Sequence, residues 1–163
     1  MDKVRKAIFM FVDLFGMERY NFEKLVNFMV TVKANYRSVV YHNWSHGFHV
    51  ANSIYSILKA SPGIYTPYEV TLNIHRAQRS QEYYMLMQCL GLWIGAICHD
   101  IDHRGFNNKF MIDVGSPLAA IYSTSTMEHH HFNMSVNILQ QENHNIFAKL
   151  NPDEYRQEWS YKL

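Results

Sequence analysis

Residues 98–105, which read CHDIDHRG, constrain the fold more than any other stretch of this chain. They place two imidazoles and two carboxylates within five residues, directly after a long apolar segment. Ionisable groups beside a buried helix carry a large desolvation cost unless something compensates their charge. A divalent metal is the usual compensator for a cluster of His and Asp. The run therefore indicates a metal-type site where an apolar helix ends.

His99 and Asp100 are adjacent, and successive helical residues point about 100° apart. Both side chains can reach one ion only near the end of the helix, after which Gly105 lets the backbone turn away. A neutral His and an ionised Asp suit zinc, and the second carboxylate oxygen can bridge to another cation. The alternative is an ordinary helix end, with the His bonded to the last carbonyls and the Asp capping the next turn.

Two further clusters strengthen the metal interpretation. His42 and His46 are four residues apart, so on a helix they share a face, although such a pair taken alone is more often a surface feature. Glu128 and His131 are three apart and can also share a face. His129 points elsewhere, and a solvated polar turn is the alternative for this third cluster. Together the three clusters predict a metal-centred site.

Composition sets the broad class of the protein. The 163 residues are 48% hydrophobic and 15% aromatic, which is typical of one globular domain with a real core. A formal charge of +1 gives no case for a nucleic-acid or anionic-membrane partner. Cys89 and Cys98 are too far apart along one helix for a disulfide, which favours a reduced, cytoplasmic protein. No apolar run is long enough for a membrane span.

The apolar pattern has a helical period throughout and predicts an all-α fold. Phe22 and Ile57 are expected on inward faces of the second and third helices. The expected helices are 2–16, one capped by Asn21, 41–58, 83–99, 116–121 with Ser116 as cap and Pro117 first, 132–141, and a last one from Asn151. Residues 64–82 have no clear period.

Several motifs together carry a resemblance to a known family. They are 41–46 (YHNWSH), 99–108 (HDIDHRGFNN), 116–122 (SPLAAIY), and 128–132 (EHHHF) followed by 138–140 (ILQ) and 144–147 (HNIF). In order and spacing they resemble the class I 3′,5′-cyclic nucleotide phosphodiesterases. The sequence of residues 123–128 is similar to that of the dual-substrate branch, which acts on both cAMP and cGMP. The resemblance implies a multi-helix catalytic domain of the HD type and a cyclic nucleotide substrate.

The resemblance also implies the roles of four residues at the reacting centre. His42 would be the general acid that protonates the leaving 3′ oxygen. His46, His99 and Asp100 would be metal ligands. Asp100 would bridge Zn²⁺ and a second cation, Mg²⁺ or Mn²⁺. These two divalent metals would activate the attacking water and neutralise charge on the phosphate.

A second set of residues would surround that centre. By resemblance, His103, Glu128 and His131 would orient water and ligand imidazoles through hydrogen bonds. Tyr41 would lie with His42 in the substrate pocket. Asp102 receives no ligand role.

The sequence departs from the family in two ways. Residues 64–88 correspond to a longer connection than usual. The family's catalytic domain is about twice as long, so residues 1–163 are expected to be the N-terminal portion of one such domain, incomplete at the C-terminus. The missing half would supply a fourth ligand, an aspartate, and the base-recognising residues, so the isolated chain is expected to have little activity.

Two alternatives to an active enzyme remain at this point. The chain could be a non-catalytic fragment or partner module of a full-length phosphodiesterase, forming a homodimer or associating with the missing half. It could also be another His-Asp metal-dependent phosphohydrolase, which the motifs at 41–46 and 128–132 argue against.

Overall fold

The computed structural model describes residues 2–60 and 76–149, with the side chains of the fourth helix described from Met85 onward. The helices are α1 (Lys3–Phe15), α2 (Phe22–Asn35), α3 (Trp44–Ala60), α4 (Arg76–Cys98), α5 (Asn108–Asp113), α6 (Pro117–Ile121) and α7 (Thr126–Leu139). No strand occurs in these ranges, so the all-α prediction is confirmed.

Local capping explains where several of these helices begin and end. The Asp2 and Asn21 side chains accept hydrogen bonds from Val4 and Lys24 at the starts of α1 and α2. Gly16 ends α1 with φ 68°, a left-handed conformation that glycine adopts without strain. Ser116 caps α6, and Pro117 occupies its first turn. These boundaries agree with the sequence predictions within one or two residues.

An aromatic cluster joins the first helices to α4. The Phe11 ring lies 5.0 Å from that of Tyr20 and 6.0 Å from that of Trp93, both edge to face. Phe11 and Trp93 are fully buried. Burial of such large side chains removes much apolar surface from water, so this cluster anchors α1 against α4.

The packing of α3 against α4 positions the polar residues of interest. α3 also contacts α1, and α4 also contacts α7. These contacts help to fix the placement of α3 relative to α4. The buried end of α4, including Ile97 and Cys98, lies against the start of α3. The residues after Cys98 therefore emerge beside the first turn of α3.

Two expected helices begin elsewhere. The third starts at Trp44, because the Asn43 side chain accepts from the backbone N–H groups of Ser45 and His46 and caps it there. His42 thus precedes α3 and does not lie on its face. α7 starts at Thr126, six residues before the predicted 132, so the third polar cluster is itself helical.

Other differences concern burial and coverage. Phe22 and Ile57, expected to face inward, are 57% and 53% exposed, while Phe28 is buried in α2. α5 was not predicted. α4 begins at Arg76, so residues 76–88 of the stretch 64–88 are helical. Residues 64–75 and the expected last helix from Asn151 lie outside the described residues.

The segment after α7 returns to α2. The Asn27 amide donates to the Asn143 carbonyl at 3.2 Å, and Thr31 hydrogen-bonds the His144 ring at 2.9 Å. Ile146 and Phe147 are buried. Among the helices described, none is both long enough and apolar enough to span a bilayer.

Candidate metal centre

The Asp100 carboxylate is the centre of the polar site. Its Oδ2 atom lies 2.8 Å from His42 Nδ1, 3.3 Å from His46 Nε2 and 3.0 Å from His99 Nε2. His42 comes from the bend before α3, His46 from the first turn of α3, and the other two from the turn after α4. The packing of α3 on α4 thus brings three imidazoles to one carboxylate oxygen.

Opposing effects determine the ionisation of Asp100. Burial alone would raise the pKa of its carboxyl, but hydrogen bonds from His99 and His42 outweigh burial and hold that pKa well below its ordinary value. The Asp100 hydrogen bond raises the pKa of His99. Burial lowers the pKa of His46. An ionised carboxylate beside a neutral imidazole is the protonation state that metal binding requires.

The distances between donor atoms fit a metal ion. The Nε2 atoms of His46 and His99 lie 3.2 Å apart, and each lies 3.3 or 3.0 Å from the Asp100 carboxylate. Ligand atoms around a tetrahedral zinc with bonds of about 2.0–2.1 Å are separated by about 3.4 Å. Two imidazoles and one carboxylate at this spacing could therefore hold a divalent metal ion.

A second group of ligand type shares the same carboxylate. His42, Asp100 and His103 each offer one atom, and all three atoms lie within 4.8 Å of one another. Because Asp100 belongs to both groups, the two candidate groups are adjacent and share one carboxylate.

Hydrogen bonds to the backbone hold the ligands in orientation. His99 Nδ1 donates to the Ala96 carbonyl at 2.8 Å, which directs Nε2 toward both Asp100 and His46. The buried Tyr36 hydroxyl donates to the Ile97 carbonyl at 3.0 Å and accepts from the Asp100 N–H at 3.3 Å. Tyr36 thus fixes the backbone of the turn that carries both ligands. Burial raises the pKa of its hydroxyl.

Two further histidines stack beside Asp100. The His103 ring lies 4.0 Å from that of His42 and 5.5 Å from that of His131, nearly parallel to both. His131 Nδ1 donates to the Ile101 carbonyl at 2.6 Å, and its Nε2 lies 4.0 Å from Asp100 Oδ1. Burial lowers the pKa of both His103 and His131, which favours neutral rings that can accept or donate hydrogen bonds.

Asn108 holds the second carboxyl group of the site, that of Glu128. Its Nδ2 donates to Glu128 Oε2 at 2.8 Å, and its Oδ1 accepts from the Met127 N–H at 2.9 Å. The hydrogen bond from Asn108 lowers the pKa of Glu128. Ser125, in the N-cap position of α7, makes no side-chain cap. Asn108 therefore caps α7 from α5 and orients Glu128 at the same time.

A cavity of about 600 Å³ opens over these residues between α4 and α7. One end is polar, with His42, His99, Asp100, His103, Glu128 and His131 in its lining. The rest of the wall is mostly small or apolar, and includes Gly91, Ile94, Gly95, Met127, Phe132, Val136 and Leu139. The shape suits a small ligand with a charged end.

The residues predicted from sequence meet at this site. His42, His46, His99 and Asp100 are in direct contact, with His103, His131 and Glu128 around them. Tyr41 is 64% exposed, and its ring lies 4.6 Å from that of His46. His129 is exposed and bonds backbone carbonyls of the preceding turn.

Sequence reasoning did not find Tyr36 or Asn108, and it gave Asp102 and His130 no role. Each acts through a partner 19 to 65 residues away, so no local spacing signals it.

Comparison with known proteins identifies relatives of this arrangement. A model of the 3′5′-cyclic nucleotide phosphodiesterase family matches residues 41–162. The probable 3′,5′-cyclic phosphodiesterase pde-5 of Caenorhabditis elegans is 41% identical over 157 residues, 96% of this chain and 19% of the worm protein. The dual 3′,5′-cyclic-AMP and -GMP phosphodiesterase 11 of Drosophila melanogaster is 40% identical over 156 residues, 94% of this chain and 10% of the fly protein.

A solved structure shares the fold. The phosphodiesterase domain of the RhoPDE fusion protein from the choanoflagellate Salpingoeca rosetta matches with a TM-score of 0.79 and 26% identity, over 96% of this chain and 45% of that one. The chain thus spans under half of that domain and under a fifth of the two curated relatives. With a family match over most of its length, the chain belongs to the 3′5′-cyclic nucleotide phosphodiesterase family.

Proposed function

We propose that this chain contributes the metal-binding half of an enzyme that hydrolyses 3′,5′-cyclic nucleotides to 5′-monophosphates. The observation that carries the proposal is the contact of His42, His46 and His99 with one Asp100 oxygen at the polar end of the cavity. The names of the two relatives support the substrate class, since one is a probable 3′,5′-cyclic phosphodiesterase and the other a dual 3′,5′-cyclic-AMP and -GMP phosphodiesterase.

His46, His99 and Asp100 would hold Zn²⁺, and Asp100 would also contact Mg²⁺ or Mn²⁺. When bound, such metals neutralise charge on the phosphate oxygens and activate water for attack. His46 and His99 are suited to this role because their Nε2 atoms face the Asp100 carboxylate. The hydrogen bond from His99 Nδ1 to the Ala96 carbonyl holds that ring in this orientation.

His42 would act as the general acid. Its Nδ1–H donates to Asp100 at 2.8 Å, which leaves Nε2 to deliver a proton. The oxygen of a water molecule would bond to phosphorus and lose a proton to solvent, while the bond from phosphorus to the 3′ oxygen would break. The 3′ oxygen would take the proton of His42, which would regain one from solvent. The 5′ ester bond stays intact, so the product is a 5′-monophosphate. An imidazole suits this step because it exchanges protons near neutral pH.

His103, Glu128 and His131 would orient the attacking water. Glu128, fixed by Asn108, offers a carboxylate oxygen as acceptor, and His131 is fixed by the Ile101 carbonyl. Tyr41, exposed beside His46, would line the approach of the substrate. Fixed donors and acceptors lower the barrier because they need no reorganisation during the reaction.

We also propose that the 163 residues have little turnover by themselves, with cAMP or cGMP preference set elsewhere. Among the described side chains, the two candidate metal groups contain three residues each and share one carboxylate, that of Asp100. The match to 45% of a solved phosphodiesterase domain is consistent with the missing ligand lying in the other half. Cys89 and Cys98 are buried and form no disulfide with each other, which supports a cytoplasmic location.

The test joins this chain to the residues that follow the aligned region in the nematode relative. With Zn²⁺ and Mg²⁺, the chimera should convert cAMP or cGMP to the 5′-monophosphate, measured by chromatography. His42→Ala should abolish turnover but retain zinc. His49→Ala is the control: because His49 is exposed, this substitution should leave both turnover and zinc binding unchanged.

Other outcomes would contradict parts of the proposal. Cleavage of non-cyclic phosphodiesters alone would indicate a different phosphohydrolase. Turnover by the 163-residue chain itself, lost in His42→Ala, would show that the chain is active without a second half.

A second candidate function is a non-catalytic module that pairs with a full-length phosphodiesterase. The observation that favours it is the apolar wall of the cavity, where Phe132 is 41% exposed near Val136. Co-purification with an intact relative, without gain of activity, would support this module. A monomer at all concentrations in light scattering would count against both it and a homodimer.

A further inference from the structure

Asp102 has no part in the chemistry described above, yet it is the most heavily hydrogen-bonded carboxylate near the metal centre. Arg37 Nε donates to its Oδ1 at 2.6 Å. His130 Nε2 at 2.7 Å and Arg104 at 3.0 Å donate to its Oδ2. The Asp102 side chain is only 15% exposed. Three donors on one shielded carboxylate exceed what a surface ion pair provides.

The backbone of Asp102 is also held in an uncommon conformation. Its φ is +59°, in the left-handed region that few non-glycine residues adopt. Its N–H donates to the Asn35 carbonyl, the last residue of α2, at 3.0 Å. The turn between Asp100 and His103 is therefore fastened to the end of α2 through both the backbone and the Arg37 contact.

The same carboxylate fixes α7. His130 and His131 are adjacent on that helix, and both are buried. His130 donates to the Asp102 side chain, and His131 donates to the Ile101 carbonyl. Two consecutive histidines thus attach α7 to two consecutive residues of the turn. This attachment sets the distance between the His131 ring and Asp100.

We infer that Asp102 is a positioning residue for the metal centre. By joining Arg37, Arg104 and His130, it holds the turn that carries His99, Asp100 and His103 in the conformation that metal binding needs. The inference rests on the metal site of the proposed function.

The test measures zinc affinity of the full 163-residue chain, by competition with a chromophoric chelator, and the visible spectrum of its Co²⁺ form. Asp102→Asn keeps the size of the side chain and tolerates the left-handed backbone, but removes the charge. We expect zinc affinity to fall about 10- to 100-fold. The Co²⁺ spectrum should change in intensity, because ligand geometry changes.

Asp13→Asn is the matched control. Asp13 also joins two helices, through Tyr55 at 2.8 Å and Lys59 at 3.0 Å, but it lies away from the turn. It should lower stability without altering zinc affinity or the Co²⁺ spectrum. Equal zinc affinities of wild type and Asp102→Asn would overturn the inference alone. A wild-type chain that binds no zinc would overturn the inference together with the proposed metal site.

Variants of His130 keep the test decisive if Asp102→Asn fails to fold. His130→Ala removes one donor and leaves Asp102 paired with two arginines. It should weaken zinc binding several-fold and alter the Co²⁺ spectrum, and His130→Gln, which retains an N–H donor, should restore both. An unchanged affinity in His130→Ala would contradict the inference.

Discussion

At the scale of single residues, the Asp100 carboxylate organises the site because three imidazoles converge on one of its oxygens. Its side chain faces His42, His46 and His99, while its backbone N–H is bound by Tyr36. An anion with this many donors remains ionised even though it is buried. A residue that secures the backbone of Asp100 therefore influences every contact of the site.

Tyr36→Phe tests this control of the backbone. Loss of the hydroxyl leaves the buried Ile97 carbonyl and Asp100 N–H without this partner, which should cost about 1–3 kcal/mol of unfolding free energy. Denaturant titration measures the change. Tyr55→Phe, which removes a hydroxyl from the exposed Asp13 contact, is the control and should cost less than about 1 kcal/mol. Equal costs for the two variants would show that Tyr36 has no special role.

At the scale of elements, α7 depends on residues outside itself. Its N-terminus is capped by Asn108 of α5, and its first two turns are attached to the turn after α4 through His130 and His131. The helix therefore carries Glu128 and His131 to the site only when α5 and that turn are formed.

Asn108→Ala tests whether Asn108 of α5 caps the N-terminus of α7. It removes the acceptor for the Met127 N–H and the donor to Glu128, so the unfolding free energy should fall by about 1 kcal/mol. Ser125→Ala is the control, since Ser125 makes no side-chain cap bond and should cost little. A larger loss in Ser125→Ala than in Asn108→Ala, measured by thermal or urea unfolding, would reverse the assignment.

The link between α1 and α3 should depend on pH. Hydrogen bonds from Tyr55 and Lys59 lower the pKa of Asp13 from its ordinary 3.8, so the folded state holds the carboxylate more strongly than the unfolded chain does. This contribution is present above the unfolded pKa and is lost as the pH falls through the lower folded value.

The measurement is urea unfolding of wild type and Asp13→Asn between about pH 6 and pH 3. The difference in unfolding free energy between the two proteins should shrink as the pH falls. Tyr55→Phe removes one of the two hydrogen-bond partners of Asp13. The unfolding free energy of this variant should therefore fall less with decreasing pH than that of wild type. A difference that is constant across this range would refute the linkage.

At the scale of the whole molecule, the core extends beyond the segment that matches the family. The match begins at residue 41, yet Phe11 of α1 and Phe28 of α2 are fully buried. Phe11 lies against Trp93 of α4, the helix that leads into the metal centre. The core packing that supports the site therefore includes residues 2–35.

A chain shortened to residues 41–163 should consequently lose cooperative unfolding. Removal of α1 and α2 exposes Trp93 and the inner faces of α3 and α4, and the buried apolar area that stabilises them is lost. Circular dichroism and tryptophan fluorescence during thermal unfolding measure this loss.

Two substitutions on α1 serve as a matched pair. Phe11→Ala should cost about 3–5 kcal/mol, and Phe9→Ala, at a position 60% exposed, should be nearly neutral. Sharp, cooperative unfolding of the shortened chain would contradict the prediction.

Much of the fold and site could be predicted where the signal is local. Asn21 and Ser116 cap helices through N–H groups two or three residues away, so a single sequence contains the evidence. The start of α7 could not be predicted, because its cap is 19 residues away in Asn108. His42 was expected on a helix, but Asn43 caps α3 after it, and the ring still reaches Asp100.

The helical class and the metal-type side chains are readable from the sequence alone, because helical period, caps and residue type are properties of neighbouring positions. The packing of the folded chain makes Asp100 face the candidate metal site while Asp102 faces Arg37 and His130. The two carboxylates are two residues apart and chemically identical. Their different tasks arise because α2, α3 and α7 pack around the turn and present different partners to each.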